Sequence, residues 1–390
     1  MRIAVVHPDL TWAGGVEAFL SSVLTRIGRE NEVAIFTFSF DPTALREREG
    51  FEVRVVSSRN DIAGHLRTYF GFRRYYNLLA ALKSWRPDVV ILQQPSAIKS
   101  ASWLGGHLDG VAVIPYIHGV GTLHVMERLK PRQRDRPSDP VRRAYAKLSL
   151  KDYYESKELG GAKIVACVSK FVGEEASRLW SGVETRVIHN GVDHDFFLPT
   201  WEDEGYALCI SRIERRKNLD LIFDYFQGAS YPVVICASTR KRFDSKGAPK
   251  PDVYLQDCLA KAKGPIRLIL DQDRYAIRGL IQKSSLVLAP RPNEGFALVY
   301  LEAMACGKPV LAHKSGGALE AVNDAGVLIG DDGAEWRRKA DELMSSRSAR
   351  EEIGKKCLNR SMTFSWDKTS AQILEMCRDA LAAKRGPGGP

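Results

Sequence analysis

Two glutamates lie eight residues apart in the segment RPNEGFALVYLEAMACGKPV, residues 291–310. Glu294 falls in a loop-like stretch, and Glu302 falls within a segment that otherwise resembles a buried helix. Because an ionised carboxylate is costly to bury without partners, we expect each of these side chains to hold a ligand or a buried donor.

The same segment predicts a strand, a short loop and a helix in succession. SLVLAP is typical of a strand, RPNEG of a loop, and FALVYLEAMACG of a helix that ends at Gly307. If the helix begins near Ala297, Glu302 lies about 8 Å further along its axis. The amides of residues 295–298 would then bind an anion, and ligand hydroxyls on either side would satisfy Glu294 and Glu302.

Two glycines and two cations follow other predicted strands. In WAGGVEAF, Gly14 and Gly15 would let the backbone approach an anion at a helix start, although a plain strand-to-helix turn has the same pattern. In ISRIERRKNL, Arg212 ends a strand and Lys217 follows five residues later. This pair suits a diphosphate, and a charged surface loop is the alternative.

The elements that position these residues alternate along the whole chain. Short β-branched runs and helix-length amphipathic segments follow one another, which predicts parallel sheets with crossover helices. The alternation pauses at VIHNGVDHDFFLPTWEDEGY, where Asn190-Gly191 signals a turn and Pro199 suggests a linker. We therefore predict an α/β protein with two doubly wound, Rossmann-like domains, residues 1–198 and 199–366. Since ligands bind beyond the carboxyl ends of such strands, the domains should face each other across an interdomain cleft.

Composition limits the classes of function. The net charge of +10 over 390 residues favours an anionic partner, which a nucleotide, a phospholipid surface or a nucleic acid would satisfy. The opening apolar run is too short for a signal peptide, and no stretch has the length of a transmembrane helix. The seven cysteines show no CxxC spacing, which predicts buried reduced thiols and a cytoplasmic enzyme.

Taken together, the motifs resemble those of the retaining glycosyltransferases of the GT-B fold, family 4 (glycosyl transferases group 1). EGFALVYLE is similar to the E-x7-E motif of that family, and the Arg212–Lys217 spacing is similar to its R-x4-K pair. GGVE, HNGVD (189–193), SGGALE (315–320) and FSW (364–366) follow in the order of the family and span nearly the whole chain.

The resemblance implies a role for each candidate residue toward a nucleotide diphosphate sugar. Arg212 and Lys217 would hold the diphosphate, Glu302 the ribose, and Glu294 the hydroxyls of the transferred sugar. His118, which ends the strand of PYIHG, would lie beside that sugar. The predicted catalytic residues are His118, Arg212, Lys217 and Glu294, and the predicted donor-binding residues are Gly14, Gly15, Arg212, Lys217, Glu294, Gly295, Phe296, Ala297, Leu298 and Glu302.

The resemblance also implies the mechanism and the last helix. No residue is an obvious covalent nucleophile, so the protein would act by positioning and by charge stabilisation. We expect no cofactor and no catalytic metal. The Asp-Gln-Asp at 271–273 is similar to a metal-binding motif of another glycosyltransferase fold, but we interpret it as a loop, and Asp271 stands where the family commonly has glycine. Helix 367–384 would return to the first domain, and residues 385–390 are predicted to be disordered.

The acceptor is predicted to be a hydroxyl compound, and polysaccharide, lipid-linked and natural-product acceptors, phosphorylated or not, are all open. Residues 59–86 and 127–143 are rich in basic side chains, which would suit a phosphorylated acceptor, peripheral contact with an anionic membrane, or simply a solvated face. A sugar-nucleotide epimerase of the same architecture is the main alternative function. A nucleic-acid-binding protein fits less well because the sequence shows no recognised nucleic-acid-binding module. A dinucleotide oxidoreductase also fits less well, because WAGGVE does not have the G-x-G-x-x-G spacing of a dinucleotide-binding loop.

Overall fold

The computed structural model describes residues 1–45, 47–56, 72–93, 104–119, 162–180, 182–239 and 252–385. It has two compact units, one of Met1–Asn190 with Trp366–Pro390 and one of Gly191–Ser365. Each unit contains a parallel β-sheet, which confirms the predicted α/β class.

The first unit is built on a seven-stranded parallel sheet with the order β5-β3-β1-β6-β7-β8-β9. Its central strands are buried along their length, as expected for parallel strands covered on both faces. The strands are β1 (Arg2–Val6), β3 (Glu32–Thr37), β5 (Glu52–Val55), β6 (Val89–Gln93), β7 (Ala112–Ile117), β8 (Ile164–Cys167) and β9 (Glu184–Val187), and β2 (Asp9–Leu10) pairs separately with β4 (Ser39–Phe40). The helices are α1 (Gly15–Ile27), α2 (Phe72–Trp85), α3 (Lys170–Leu179) and α11 (Trp366–Arg385).

The second unit is built on a six-stranded parallel sheet with the order β12-β11-β10-β13-β14-β15. Its strands are β10 (Ala207–Arg212), β11 (Val233–Ser238), β12 (Ile266–Leu270), β13 (Leu286–Ala289), β14 (Val310–His313) and β15 (Val327–Ile329). The helices are α4 (Asp220–Phe226), α5 (Val253–Lys261), α6 (Arg274–Lys283), α7 (Leu298–Ala305), α8 (Ala318–Ala321), α9 (Gly333–Ser345) and α10 (Arg347–Ser361).

Both strand orders contain a topological switch point. In the first sheet the chain proceeds from β1 to β3 and β5 on one side, and β6 then pairs with β1 on the other side. In the second sheet the chain proceeds from β10 to β11 and β12, and β13 then pairs with the other side of β10. Ligands of open α/β sheets bind where the strand order reverses, outside the carboxyl ends of the strands. The ends of β1 and β6, and those of β10 and β13, are therefore the places where functional side chains are expected.

The last helix packs on the first unit. Arg26 donates to Asp367 at 2.7 Å, Arg186 donates to Asp379 at 2.6 Å, and the ring of Trp366 lies 6.0 Å from that of Phe19. All seven cysteines are free and buried, as predicted. Among the described residues, no helix has both the length and the apolar character needed to cross a bilayer.

The division between the units falls after residue 190, eight residues before the predicted boundary after residue 198. The reason is that the intervening segment packs on the second unit. Val192 bridges to Ser365, and the guanidinium of Arg274 stacks 3.6 Å from the ring centre of Phe196. The acidic run predicted as a linker is also anchored, because Arg350 donates twice to the Asp203 carboxylate, at 2.6 and 2.9 Å.

Candidate functional site

A cluster of opposite charges lies at the switch point of the second unit. Lys217 Nζ donates to Glu294 Oε1 at 2.7 Å, and Arg291 Nη1 donates to the same oxygen. The side chains of Lys217, Arg291 and Glu294 are only 17–19% exposed. The structure thus brings together two of the predicted site residues, Lys217 and Glu294, which are 77 residues apart in sequence, and it adds Arg291.

The two predicted cations reach the cluster from the end of β10. Arg212 is the last residue of that strand, and its Nη1 donates to Glu214 at 3.0 Å. Lys217 is carried by a 3₁₀ turn, Arg215–Lys217, which Asn218 ends in the left-handed conformation. Asparagine tolerates this conformation better than most residues, so the sequence RRKN itself favours the turn.

The loop that carries Glu294 is held by close contact between two backbones. Gly317 N donates to Glu294 O at 2.8 Å, and a Cβ atom at Gly317 would lie only 1.9 Å from Gly295 O. A Cβ atom at Gly316 would lie 2.5 Å from Glu294 O. The two glycines of the SGGALE motif are therefore needed for this approach, which fixes the Glu294 loop.

Helix α7 begins beside the cluster, close to the predicted position. Its N-cap residue is Ala297, and no described side chain caps it. The first amides of a helix lack intrahelical partners and attract anions. Phe296 is buried with its ring 5.5 Å from that of Phe364, so a donor contact there would have to use its backbone. Glu302 lies on α7 and is half-buried between buried neighbours.

The charges of the cluster perturb one another. Burial opposes ionisation of Glu294, but Lys217 and Arg291 outweigh it and lower the pKa of that carboxyl to about 2. Burial also lowers the pKa of Lys217, an effect that Glu294 opposes and that Arg291 and Arg212 reinforce. Among the described residues, the three cations Arg212, Lys217 and Arg291 face the two carboxylates Glu214 and Glu294, an excess of one positive charge that suits an anionic ligand.

A small concavity opens on this cluster. Lys217, Arg291 and Glu294 supply its charged lining, and Ala297 and Tyr300 line it from the start of α7. A few convergent polar groups in a largely apolar concavity are typical of a small-molecule site.

The first unit has its own polar group at its switch point. His7 follows β1, and its Nε2 lies 3.1 Å from Glu17 Oε1, with both residues 3% exposed. Glu17 is the glutamate of GGVE on helix α1, which begins at Gly15. A Cβ atom at Gly14 would lie 2.7 Å from Glu17 Oε2, so a larger residue there would displace the Glu17 carboxylate.

His118 follows β7 in the same unit, as predicted. Its Nε2 lies 2.5 Å from Gln93 Oε1 at the end of β6, and its ring stacks 4.8 Å from that of Tyr116. Desolvation, with a smaller effect of His7, lowers the pKa of His118 to about 3. The ring is therefore neutral at ordinary pH. His118, Gly14 and Gly15 belong to the first unit, and their role toward a donor stays a prediction.

The Asp-Gln-Asp segment has a structural use for both carboxylates. Asp271, at a φ of 51°, accepts from the amide and the hydroxyl of Thr239, both at 2.6 Å. Asp273 caps helix α6 by accepting from Ala276 N at 2.8 Å. This agrees with the interpretation of the segment as a loop.

Sequence reasoning missed Arg291 and His7. His7 directly follows β1, and Arg291 comes two residues after the end of β13. Nothing in the sequence showed that either side chain would contact a carboxylate. Of the two basic segments, 127–143 lies outside the described residues, and 59–86 lies partly outside them.

Two family models match the chain in succession. Glycosyltransferase Family 4 matches residues 13–196, and Glycosyl transferases group 1 matches residues 193–360. The chain is 26% identical to a D-inositol 3-phosphate glycosyltransferase from Salinispora arenicola, over 97% of this chain and 90% of that protein. It is 27% identical to a protein of the same name from Mycobacterium avium, over 98% and 94% of the two chains.

Solved structures share the fold. HepE from Anabaena in complex with UDP-glucose has a TM-score of 0.71 at 16% identity, with 97% of this chain and 100% of that chain covered. Sucrose-phosphate synthase from Thermosynechococcus elongatus has a TM-score of 0.75 at 16% identity, with 98% and 100% covered. Neither family model describes an epimerase or a nucleic-acid-binding domain.

Proposed function

Since the chain belongs to the family 4 (group 1) glycosyltransferases and has their GT-B fold, we propose that it transfers a hexose-type sugar from a nucleotide diphosphate sugar to a hydroxyl acceptor with retention of configuration. The observation that carries this proposal is the positively charged Lys217–Glu294–Arg291 cluster at the switch point, beside the uncapped start of α7. A diphosphate would neutralise the excess charge, and the helix amides would add hydrogen bonds.

In this proposal Arg212 and Lys217 bind the diphosphate and stabilise the charge that develops on it as the sugar leaves. Lys217 and Arg291 both contact Oε1 of Glu294, and within the described residues Oε2 has no hydrogen-bond partner. Oε2 is therefore available to accept hydroxyls of the sugar. Glu302, half-buried and further along α7, would accept the ribose hydroxyls.

The proposed reaction proceeds on one face of the sugar. The bond between the anomeric carbon and the phosphate oxygen breaks, the acceptor oxygen forms the new bond, and the departing phosphate takes the acceptor proton. We propose that no metal ion is needed. This is supported by the contacts of the two aspartates of the Asp-Gln-Asp segment. Asp271 accepts from Thr239, and Asp273 caps the start of α6, so both carboxylates already have a structural use.

The acceptor class is suggested by the relatives. Their names make an inositol phosphate the first acceptor to test, and the predicted phosphorylated acceptor is of the same kind. The seven buried free thiols support the predicted cytoplasmic location.

The test begins with a panel of nucleotide sugars in thermal-shift assays, since a bound donor raises the melting temperature. The stabilising donor is then incubated with inositol phosphate, with and without EDTA, and both nucleotide release and the anomer of the product are followed. We expect Lys217→Ala to lower turnover by about 10²–10³-fold, as the loss of one electrostatic stabiliser does.

Lys356→Ala is the matched control, because Lys356 forms an exposed ion pair with Glu352. It should leave turnover unchanged. The proposal is wrong if no nucleotide sugar binds or is consumed, or if Lys217→Ala turns over like the unaltered protein. Inversion at the anomeric carbon, or inhibition by EDTA, would remove the retaining or the metal-independent part alone.

A further inference from the structure

One carboxylate oxygen in the proposed donor site has two cationic partners. Lys217 and Arg291 both donate to Oε1 of Glu294, from different elements, and the three side chains are less than one fifth exposed. A single cation would suffice to neutralise the carboxylate. The second one calls for an explanation.

Lys217 has two competing partners if the proposed function is right. Its ammonium group donates to Glu294, and in the proposed function the donor diphosphate requires the same group. If Lys217 turned to the phosphate and no other cation remained, Glu294 would be left charged in a largely buried site. Leaving one partner of a buried ion pair without its counter-charge is strongly unfavourable, so donor binding would be weakened.

We propose that Arg291 makes a change of partners possible: on donor binding Lys217 moves from Glu294 to the diphosphate, while Arg291 alone keeps the Glu294 carboxylate charged and oriented toward the sugar. This inference rests on the proposed function and assigns Arg291 as a positioning residue of the same site. Arg291 acts through Glu294 and does not itself contact the reacting atoms.

The chemistry of the two cations fits this division. A lysine ammonium is a mobile point charge on a flexible stem, whereas a guanidinium is planar, always charged and pre-organised. Arg291 lies three residues before Glu294, in a loop fixed by the contact of Gly317 with Gly295. It can therefore remain in place while Lys217 moves.

The groups around Glu294 determine how its ionisation responds. Lys217 faces it from the turn after β10, Arg291 from its own loop, and the Tyr300 hydroxyl from α7. Burial and the Glu294 charge raise the pKa of Tyr300, so that hydroxyl stays neutral. Arg212 lies beyond Lys217. Once Lys217 has moved, Arg291 is the one cation among the described residues that still contacts the carboxylate.

A crystal structure of the unaltered protein with UDP tests the change of partners directly. We expect Lys217 Nζ on the diphosphate and more than 4 Å from Glu294, with Arg291 still in hydrogen-bond contact with Oε1. UDP bound with Lys217 still on Glu294 would overturn the inference and leave the proposed function standing. Absence of binding by UDP, GDP and ADP and by every nucleotide sugar of the panel would refute both.

Kinetics of Arg291→Ala and Arg291→Lys provide the second test. A cation within 4–6 Å lowers a carboxyl pKa by about 1–3 pH units, so Arg291→Ala should move the acid limb of the kcat profile upward by that amount. Arg291→Lys, which keeps the charge, should restore most of the profile. Arg338→Ala, which removes an exposed arginine paired with Glu342, should change nothing.

A purely structural role for Arg291 would lower the melting temperature without moving the acid limb. That outcome, or a kcat of Arg291→Ala within twofold of the unaltered protein, contradicts the inference. If Arg291→Ala does not fold, Arg291→Lys and the UDP complex still decide the matter.

Discussion

Replacing Glu294 by alanine removes a carboxylate that contacts both Lys217 and Arg291. The variant would leave two like charges close together in a site that is less than one fifth exposed. We expect it to lose stability and transfer activity together, and yet to bind UDP at least as well as the unaltered protein, because a diphosphate can take the place of the lost anion.

The structure allows the loss of stability to be estimated. The pKa of Glu294 falls from an ordinary 4.5 to about 2. At 1.36 kcal/mol for each pH unit, this corresponds to about 3 kcal/mol, which is at the lower end of the cost of breaking a buried ion pair. Since the folded pKa is the lower one, this stability is present above about pH 4.5 and is lost as the pH falls toward 2.

Thermal denaturation at pH 7.5 measures the effect. About 3 kcal/mol corresponds to a decrease of roughly 6–12 °C in melting temperature for a unit of this size. Glu342→Ala is the matched control, because Glu342 also accepts from two cations, Arg338 and Lys339, but is 50% exposed. Exposed ion pairs are screened by solvent and contribute little to stability, so the control should melt close to the temperature of the unaltered protein.

Two results would refute this reasoning. If Glu294→Ala melts like the Glu342 control, the cluster does not stabilise the fold as its geometry requires. If UDP binding is lost rather than retained, the excess positive charge is not what attracts the nucleotide.

Two further predictions concern the glycine contact and the neutral histidine. Gly317→Ala should lower both the melting temperature and turnover, because the new Cβ atom would lie 1.9 Å from Gly295 O. Gly279→Ala is the control: no described atom outside its helix would lie within 4 Å of the new Cβ atom, so this variant should be neutral or slightly more stable. For His118, whose pKa is lowered to about 3, the unfolded chain takes up the proton first as the pH falls below about 6.5. Stability should therefore decrease from pH 7 to 5 in urea titrations, and His118→Phe should show a smaller decrease.

Much of the second unit could be predicted from the sequence because local signals agree there. The apolar run before Arg291, the turn residues that follow it and the apolar helix that ends at Gly307 all favour one strand-loop-helix succession. Helix α7 begins at Leu298, one residue beyond the predicted position. The positions of Arg212 and Lys217 also follow from strand ends alone.

What the sequence could not provide was the direction of side chains across long separations. Lys217 and Glu294 meet only because β13 returns beside β10. Arg291 joins them because Gly317, in the segment after β14, packs against the backbone of the loop that carries Arg291 and Glu294. The boundary between the units was misplaced for a similar reason. Pro199 and the acidic run after it have the composition of a linker, but Asp203 accepts from Arg350 of α10 and from Ser285, the residue before β13.

That anchoring has a practical consequence for expressing the second unit by itself. A truncation that begins at residue 205 would remove the acceptor of Arg350, the carbonyl that accepts from Lys308 at 2.6 Å, and the strand-like bridge of Val192 to Ser365. A fragment starting at Gly191 and ending at Ser365 retains all three, so it keeps the contacts that hold the acidic run on this unit.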